Sequence, residues 1–149
     1  MKALIIYESI HHGNTEKIGK VIGEELNGDI IKISNVNENT LSEYELIGFG
    51  SGIYYGKLHK NIFDFIDGLK LIENTKAFVF STSGRGKIGY NKLVEEKLKE
   101  KNFKVIGSFT CKGYDTFGPF RLFGGIAKNR PDNNDFEKAK DFAQNLLKY

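Results

Sequence analysis

Residues 2–15 read KALIIYESIHHGNT, and the reading of this stretch decides how the rest of the chain is understood. Residues 3–7 are a short apolar run, too brief for a helix and rich in β-formers, which predicts a buried strand. A polar loop, residues 8–15, follows. Behind it Ile18, Val21, Ile22 and Leu26 recur at helical spacing, predicting a helix from about residue 15 to residue 26. A strand, a Gly- and hydroxyl-bearing loop and a helix amino terminus make an anion site. The first N–H groups of the helix and the positive end of its dipole point into the loop.

The same alternation runs to the end of the chain. Further strands are expected at 29–33, 46–50, 76–81 and 103–109. Helical patterns lie between them, marked by Ile62, Phe63, Phe65, Ile66 and Leu69, and by Leu93, Val94 and Leu98. Asn27-Gly28 stops the first helix. A last helix starts near Asn134, after Pro131 and Asp132, with Glu137 three residues on, and carries Phe136, Ala139, Phe142, Ala143, Leu146 and Leu147. This pattern predicts an α/β fold, a doubly wound parallel sheet of five strands with helices on both faces, three layers in all. In such sheets ligands sit at the carboxyl ends of the strands, beside the point where strand order reverses. The loops expected there are ESIHHGNT, SGIYYGKLH, STSGRGKIGY and CKGYDTFGPFRLFGG. All are rich in Gly, hydroxyls or aromatics. The last is long, and Tyr114, Phe117, Phe120, Leu122 and Phe123 predict a packed wall over a ligand rather than disorder.

Length and composition bound the rest. The 149 residues suit one domain, 1–149, with a real core. No apolar run approaches a membrane span and the amino terminus lacks a signal-peptide layout, so a soluble, cytoplasmic protein is expected. Cys111 is the one cysteine, which excludes an internal disulfide and fits a reducing compartment. The net charge of +3 hides an asymmetry: residues 1–75 hold 7 Lys against 11 acids, while residues 76–149 hold 15 Lys and Arg against 8 acids. That split reads either as solvated Lys-rich helix faces or as a basic face for an anionic partner.

Each loop has a functional and a bland reading. Ser9, Ile10, His11, His12, Gly13, Asn14 and Thr15 offer convergent donors for an oxyanion, although Ser, Asn and Thr also simply cap helices. The Walker pattern is absent, and His11 and His12 lack a third partner for a metal. Tyr54-Tyr55, between Gly52 and Gly56, can present a ring to a planar ligand, or be one core and one surface residue. Gly84 to Gly89 formally match G-x-G-x-x-G, but after the fourth strand and without the acid expected about twenty residues on. No hydrolase elbow, receiver-type acidic cluster or acid–base catalytic residue is evident. His59 is expected on the surface of the second helix.

These residues resemble the flavodoxin family. The Tyr7-Glu8-Ser9…Gly13-Asn14-Thr15-Glu16 loop looks like its phosphate loop, residues 49–56 look like its first flavin-flanking loop, and Ser81-Thr82-Ser83-Gly84 match its second. The resemblance covers essentially the whole chain and implies strand order 2-1-3-4-5. It implies FMN bound non-covalently, its phosphate on Ser9 to Thr15 and its ring between Tyr54 or Tyr55, with Gly56, and Ser81, Thr82, Ser83, Gly84 and Gly86. It implies a one-electron carrier between a reductase and an acceptor, as a monomer or weak dimer, with a peptide flip beside the ring falling at Gly56. Three departures stand out: three residues between Ser9 and Gly13, Lys57 where an acid is frequent, and a basic pI near 8.8. Lys57 is expected to sit near the ring and ease its second reduction. Two other readings stay open: a small FMN-dependent oxidoreductase acting on a quinone, a porphyrinogen or NAD(P)H, and a binding module that has lost the flavin. No nucleic-acid-reading motif supports the latter.

Overall fold

The computed structural model describes residues 1–10, 12–115 and 124–149. Strands β1 (Ala3–Glu8), β2 (Asp29–Lys32), β3 (Leu46–Tyr54), β5 (Lys76–Ser83) and β6 (Lys104–Lys112) pair in parallel, in the order β2-β1-β3-β5-β6. A two-residue strand, β4 (Lys57–Leu58), adds antiparallel to the end of β3. Without β4 the order is the expected 2-1-3-4-5. Helices α1 (Asn14–Leu26) and α4 (Asn133–Leu146) cover one face, and α2 (Lys60–Gly68) and α3 (Lys92–Glu100) the other.

Alternation along each strand feeds two cores. Leu4, Ile6, Ile47, Phe49, Ala77 and Val79 meet Ile62, Ile66, Val94 and Leu98, while Ala3, Ile5, Phe78 and Phe80 meet Ile18, Ile22, Ala139 and Ala143. That period-two division is what a parallel sheet buried on both sides requires. On the second face the rings of Phe78 and Phe80 lie over Gly48 and Gly50 of the neighbouring strand, and a Cβ at either glycine would come within 2.2 Å of a ring. Two short 3₁₀ turns, Ile33–Asn35 and Glu38–Glu43, carry the chain from β2 to β3 and add Ile33 and Leu41 to the first core.

β6 departs from simple alternation. Between Ala77 and Phe78 the register shifts by a residue, so Val105 faces the first core while Phe109 and Cys111 face the second. The bulge re-aims the strand's carboxyl half toward α1 and α4.

Several boundaries differ from the sequence reading. β3, β5 and β6 run two to four residues further than expected, so Tyr54, Thr82 and Ser83 belong to strands rather than to loops. Pairing explains this, since Ser51 opposes Ser81, Gly52 opposes Thr82 and Ser83 opposes Lys112. His59 is the cap of α2, its ring nitrogen accepting from the Asn61 N–H at 2.9 Å, rather than a residue on the helix surface. The last helix begins at Asn133, with Asp132 and Asp135 forming the capping box assigned to Asn134 and Glu137. Of the expected wall, Phe117, Phe120, Leu122 and Phe123 lie outside the described residues, as does His11. Among the described residues no helix is long and apolar enough to cross a membrane.

Candidate functional site

Strand order reverses between β1 and β3, and the carboxyl ends of β1, β3, β5 and β6 open there onto two adjoining clefts. The first, of about 360 Å³, is lined by Ser9, Ile10, Asn14 and Thr15 at the start of α1, by Gly52, Ile53 and Tyr54, by Thr82 and Ser83, and by Gly113, Tyr114 and Asp115. The second, of about 490 Å³, lies between Ile53, Tyr55 and Gly56 on one side and Ser83, Gly84, Arg85 and Tyr90 on the other, with Asp115. Ile53, Ser83 and Asp115 are common to both.

The amino end of α1 decides between anion site and ordinary cap. Gly13 precedes the helix with φ +65° and has no side chain to cap it, and among the described residues no other side chain caps the first turn. Two of the three side chains suited to capping are used otherwise. Asn14 donates to the Tyr114 carbonyl at 2.8 Å, and the Thr15 hydroxyl bonds the Thr82 hydroxyl at 2.8 Å. Ser9 Oγ is buried and has no hydrogen-bond partner. Such orphans are rare because each costs the desolvation of a polar atom. The Asn14 contact depends on Gly113, where a Cβ would stand 2.7 Å from the Asn14 amide nitrogen. Of the two hydroxyl protons of Thr15 and Thr82, one is spent on their mutual bond and the other remains for a ligand.

The second cleft is shaped by a hairpin. Tyr54 pairs with Lys57, leaving Tyr55 and Gly56 as a two-residue turn with φ of +54° and +79°. Tyr54 is half-buried and meets the His59 ring edge-on at 5.0 Å, whereas Tyr55 is 90% exposed. Burial, reinforced by the carboxylates of Asp115 and Glu8, pushes the Tyr54 phenol above its ordinary range, keeping it a neutral donor. Across the cleft, the Gly84 N–H donates to Asp115 at 3.3 Å and the Gly86 N–H donates to Ser83 Oγ at 2.7 Å. Glu8 is buried at the end of β1 and accepts from the Asn61 amide at 2.8 Å.

The structure gathers most of the expected residues. Ser9, Ile10, Asn14, Thr15, Tyr54, Thr82 and Ser83 line the first cleft, and Tyr55, Gly56, Ser83 and Gly84 the second. His12, Gly13, Ser81 and Gly86 line neither. His12 stacks on Tyr114 with ring centres 4.2 Å apart, and Ser81 is buried, donating to Thr110 at 3.0 Å. Lys57 does not line a cleft either; its ammonium lies 5.6 Å from the centre of the Phe63 ring. The hairpin turns it toward α2, which removes the basis for expecting it near a ring. Tyr114, expected in a wall over a ligand, lines the first cleft, whereas Gly52, Ile53, Arg85, Tyr90, Gly113 and Asp115 lie in the expected loops without having been singled out there. Among the described residues no cluster of His, Cys, Asp and Glu is arranged to hold a metal. The site therefore offers amides, hydroxyls, aromatic rings, the guanidinium of Arg85 and one half-buried carboxylate.

Comparison with known proteins agrees with this geometry. A profile of the flavodoxin domain matches residues 4–115. An uncharacterized protein of Methanocaldococcus jannaschii is 54% identical over 99% of both chains. A flavodoxin from the domain Archaea superposes with a TM-score of 0.76 at 21% identity, over 99% of this chain and 97% of the other. Fusobacterium nucleatum flavodoxin bound to flavin mononucleotide superposes with a TM-score of 0.70 at 13% identity, over 99% and 97%. From β1 through the start of the β6 loop, the chain belongs to the flavodoxin family.

Proposed function

We propose that this chain binds FMN without a covalent bond and carries electrons between redox proteins. The observation that carries the reading is the uncapped first turn of α1 beside the buried, unpartnered Ser9 hydroxyl. A phosphate accepting from Ser9 Oγ and the first-turn amides would satisfy both and sit at the positive end of the helix dipole. Among the described residues no Lys or Arg lines that cleft, so amides and hydroxyls would hold the anion there. The spare hydroxyl proton of the Thr15–Thr82 pair would donate to the ribityl chain or phosphate.

The flavin ring would lie between the Tyr54–Gly56 hairpin and the backbone at Ser83 and Gly84, with Ile53 and Tyr90 beside it. FMN when bound supplies reversible one- and two-electron chemistry. The residues of the chain bind it, orient it and shield all but its outer edge. At that edge the Tyr55–Gly56 turn is exposed, and Gly56 has the backbone freedom for its peptide to reorient. A soluble carrier of this kind is also supported by the family and by the FMN carried by the F. nucleatum relative.

The test is uptake of FMN by the purified protein. Quenching of FMN fluorescence to a one-to-one end point is expected, with the doublet Ser9→Ala, Thr15→Val weakening binding by about 10- to 100-fold through loss of charge-assisted bonds. Failure to take up FMN would refute the reading. Sustained oxidation of NAD(P)H by the isolated holoprotein would instead make it an oxidoreductase.

A further inference from the structure

We infer that the rim of the second cleft is a docking surface for a small acidic electron-carrier protein. The inference rests on the FMN-carrier reading and adds the chemistry of the partner. Two segments build the rim, residues 51–63 and residues 84–94. Together they hold Lys57, Lys60, Arg85, Lys87 and Lys92, and no acidic residue. The segments are neighbours in space, because β4 packs against the 3₁₀ turn Ile88–Asn91. Lys112 joins them from β6: its Cγ lies 3.1 Å from where a Cβ on Gly86 would be.

Against these six cations stand Asp64 and Glu95, each one residue beyond the segments, Glu8 at the end of β1 and Asp115 at the cleft. Glu8 is buried against Asn61, and Asp115 is half-buried and accepts from the Gly84 N–H. Lys60 is partly neutralised by Asp64 at 3.5 Å, and Lys57, Lys87 and Lys112 are exposed. Within the cationic ring stand two apolar side chains turned to solvent, Tyr55 at 90% and Ile88 at 53% exposure. An exposed aromatic and aliphatic centre with a charged rim is the anatomy of a transient protein interface. The sign of the rim selects a partner that is negative around its own redox centre. A carrier seated there delivers one electron across the flavin edge, the partner being oxidised as the flavin is reduced, or the reverse.

The test uses FMN-loaded protein and two probe carriers of opposite charge, an acidic plant-type [2Fe–2S] ferredoxin and a basic mitochondrial-type cytochrome c. Binding is followed by NMR titration at low and moderate salt. The ferredoxin is expected to bind and to weaken steeply with salt. Lys57→Glu with Lys87→Glu, neither of which lines a cleft, is expected to weaken it about tenfold or more and to create affinity for the cytochrome. Lys99→Glu with Lys148→Glu makes the same charge change at the other end of the sheet and is expected to leave ferredoxin binding within about twofold, since screening separates the two ends. FMN titration of each variant separates the two layers of the argument. Loss of FMN uptake by the wild type would remove the function reading itself. Normal uptake with preference for the cytochrome, or for a single-stranded oligonucleotide, would overturn the docking surface alone. So would equal effects of the two charge-reversal pairs.

Discussion

Ser9 gives the site its most specific signature, because a buried hydroxyl without a partner is a cost that a ligand can remove. Replacing it by Ala takes away the orphan in the apo protein and a donor in the complex, so the two effects have opposite signs. Ser9→Ala is expected to stabilise apo protein by about 1 kcal/mol while weakening FMN by about tenfold. Urea unfolding without ligand and a fluorescence titration with it measure the two halves. Loss of apo stability would mean that the hydroxyl has a protein partner and is no ligand donor. The sequence puts Ser9 in the loop before α1, but only the fold shows that Asn14 and Thr15 are drawn away to Tyr114 and Thr82. Those partners lie 100 and 67 residues away, beyond the reach of any local pattern. Asp115 and Gly113 were not singled out for the same reason: they enter the site because β6 is the sheet neighbour of β5.

At the scale of elements, the periodic segments were legible and their ends were not. The apolar runs of β1, β3 and β5 and the stripes of α1 and α4 carry their own periods, 2 or 3.6, in the sequence. Strand ends are fixed by pairing partners, and the bulge in β6 by packing of Phe109 and Cys111 toward α4. The start of α4 shows how much such an end is worth. Asp135 is buried, accepts two bonds of 2.6 Å from Arg130, and also closes the capping box with Asp132. Burial pushes the Asp135 carboxyl up, but the Arg130 guanidinium and the Asp132 N–H outweigh it and hold the carboxyl below its ordinary value. A depressed pKa in the folded state stabilises at pH above the unfolded value of about 3.9, and that stability is lost as pH falls through the folded pKa. Arg130→Met strands the carboxylate and is expected to cost about 3 kcal/mol at pH 7. The deficit should shrink as pH is lowered toward 3, because a protonated Asp135 no longer needs the guanidinium. Urea midpoints of wild type and variant at pH 7, 5 and 3 follow this, and a deficit that ignores pH would show that packing of the Arg130 stem dominates.

For the molecule as a whole, ligand binding and folding are one equilibrium, since FMN at the proposed site would bind only where four strand ends converge. At a free concentration 100 times its dissociation constant, FMN stabilises the native state by about 2.7 kcal/mol. For a chain of this size that raises the melting temperature by about 5–10 °C. Riboflavin carries the same ring and ribityl chain without the phosphate, so it forgoes the α1 amides and Ser9. If the anion loop supplies about 100-fold of the affinity, riboflavin at the same concentration contributes only about 0.4 kcal/mol and barely moves the transition. Gly13→Asp isolates the loop. The left-handed φ of +65° is one that Asp tolerates, and nothing stands within 4 Å of a Cβ there. The new carboxylate would occupy the helix end and repel a phosphate. Calorimetric melts are expected to show a large FMN shift for the wild type, and one no greater than riboflavin's for Gly13→Asp. Equal shifts for FMN and riboflavin on the wild type would mean that the ring cleft alone holds the cofactor and that the residues 8–15 loop is only the turn into a helix.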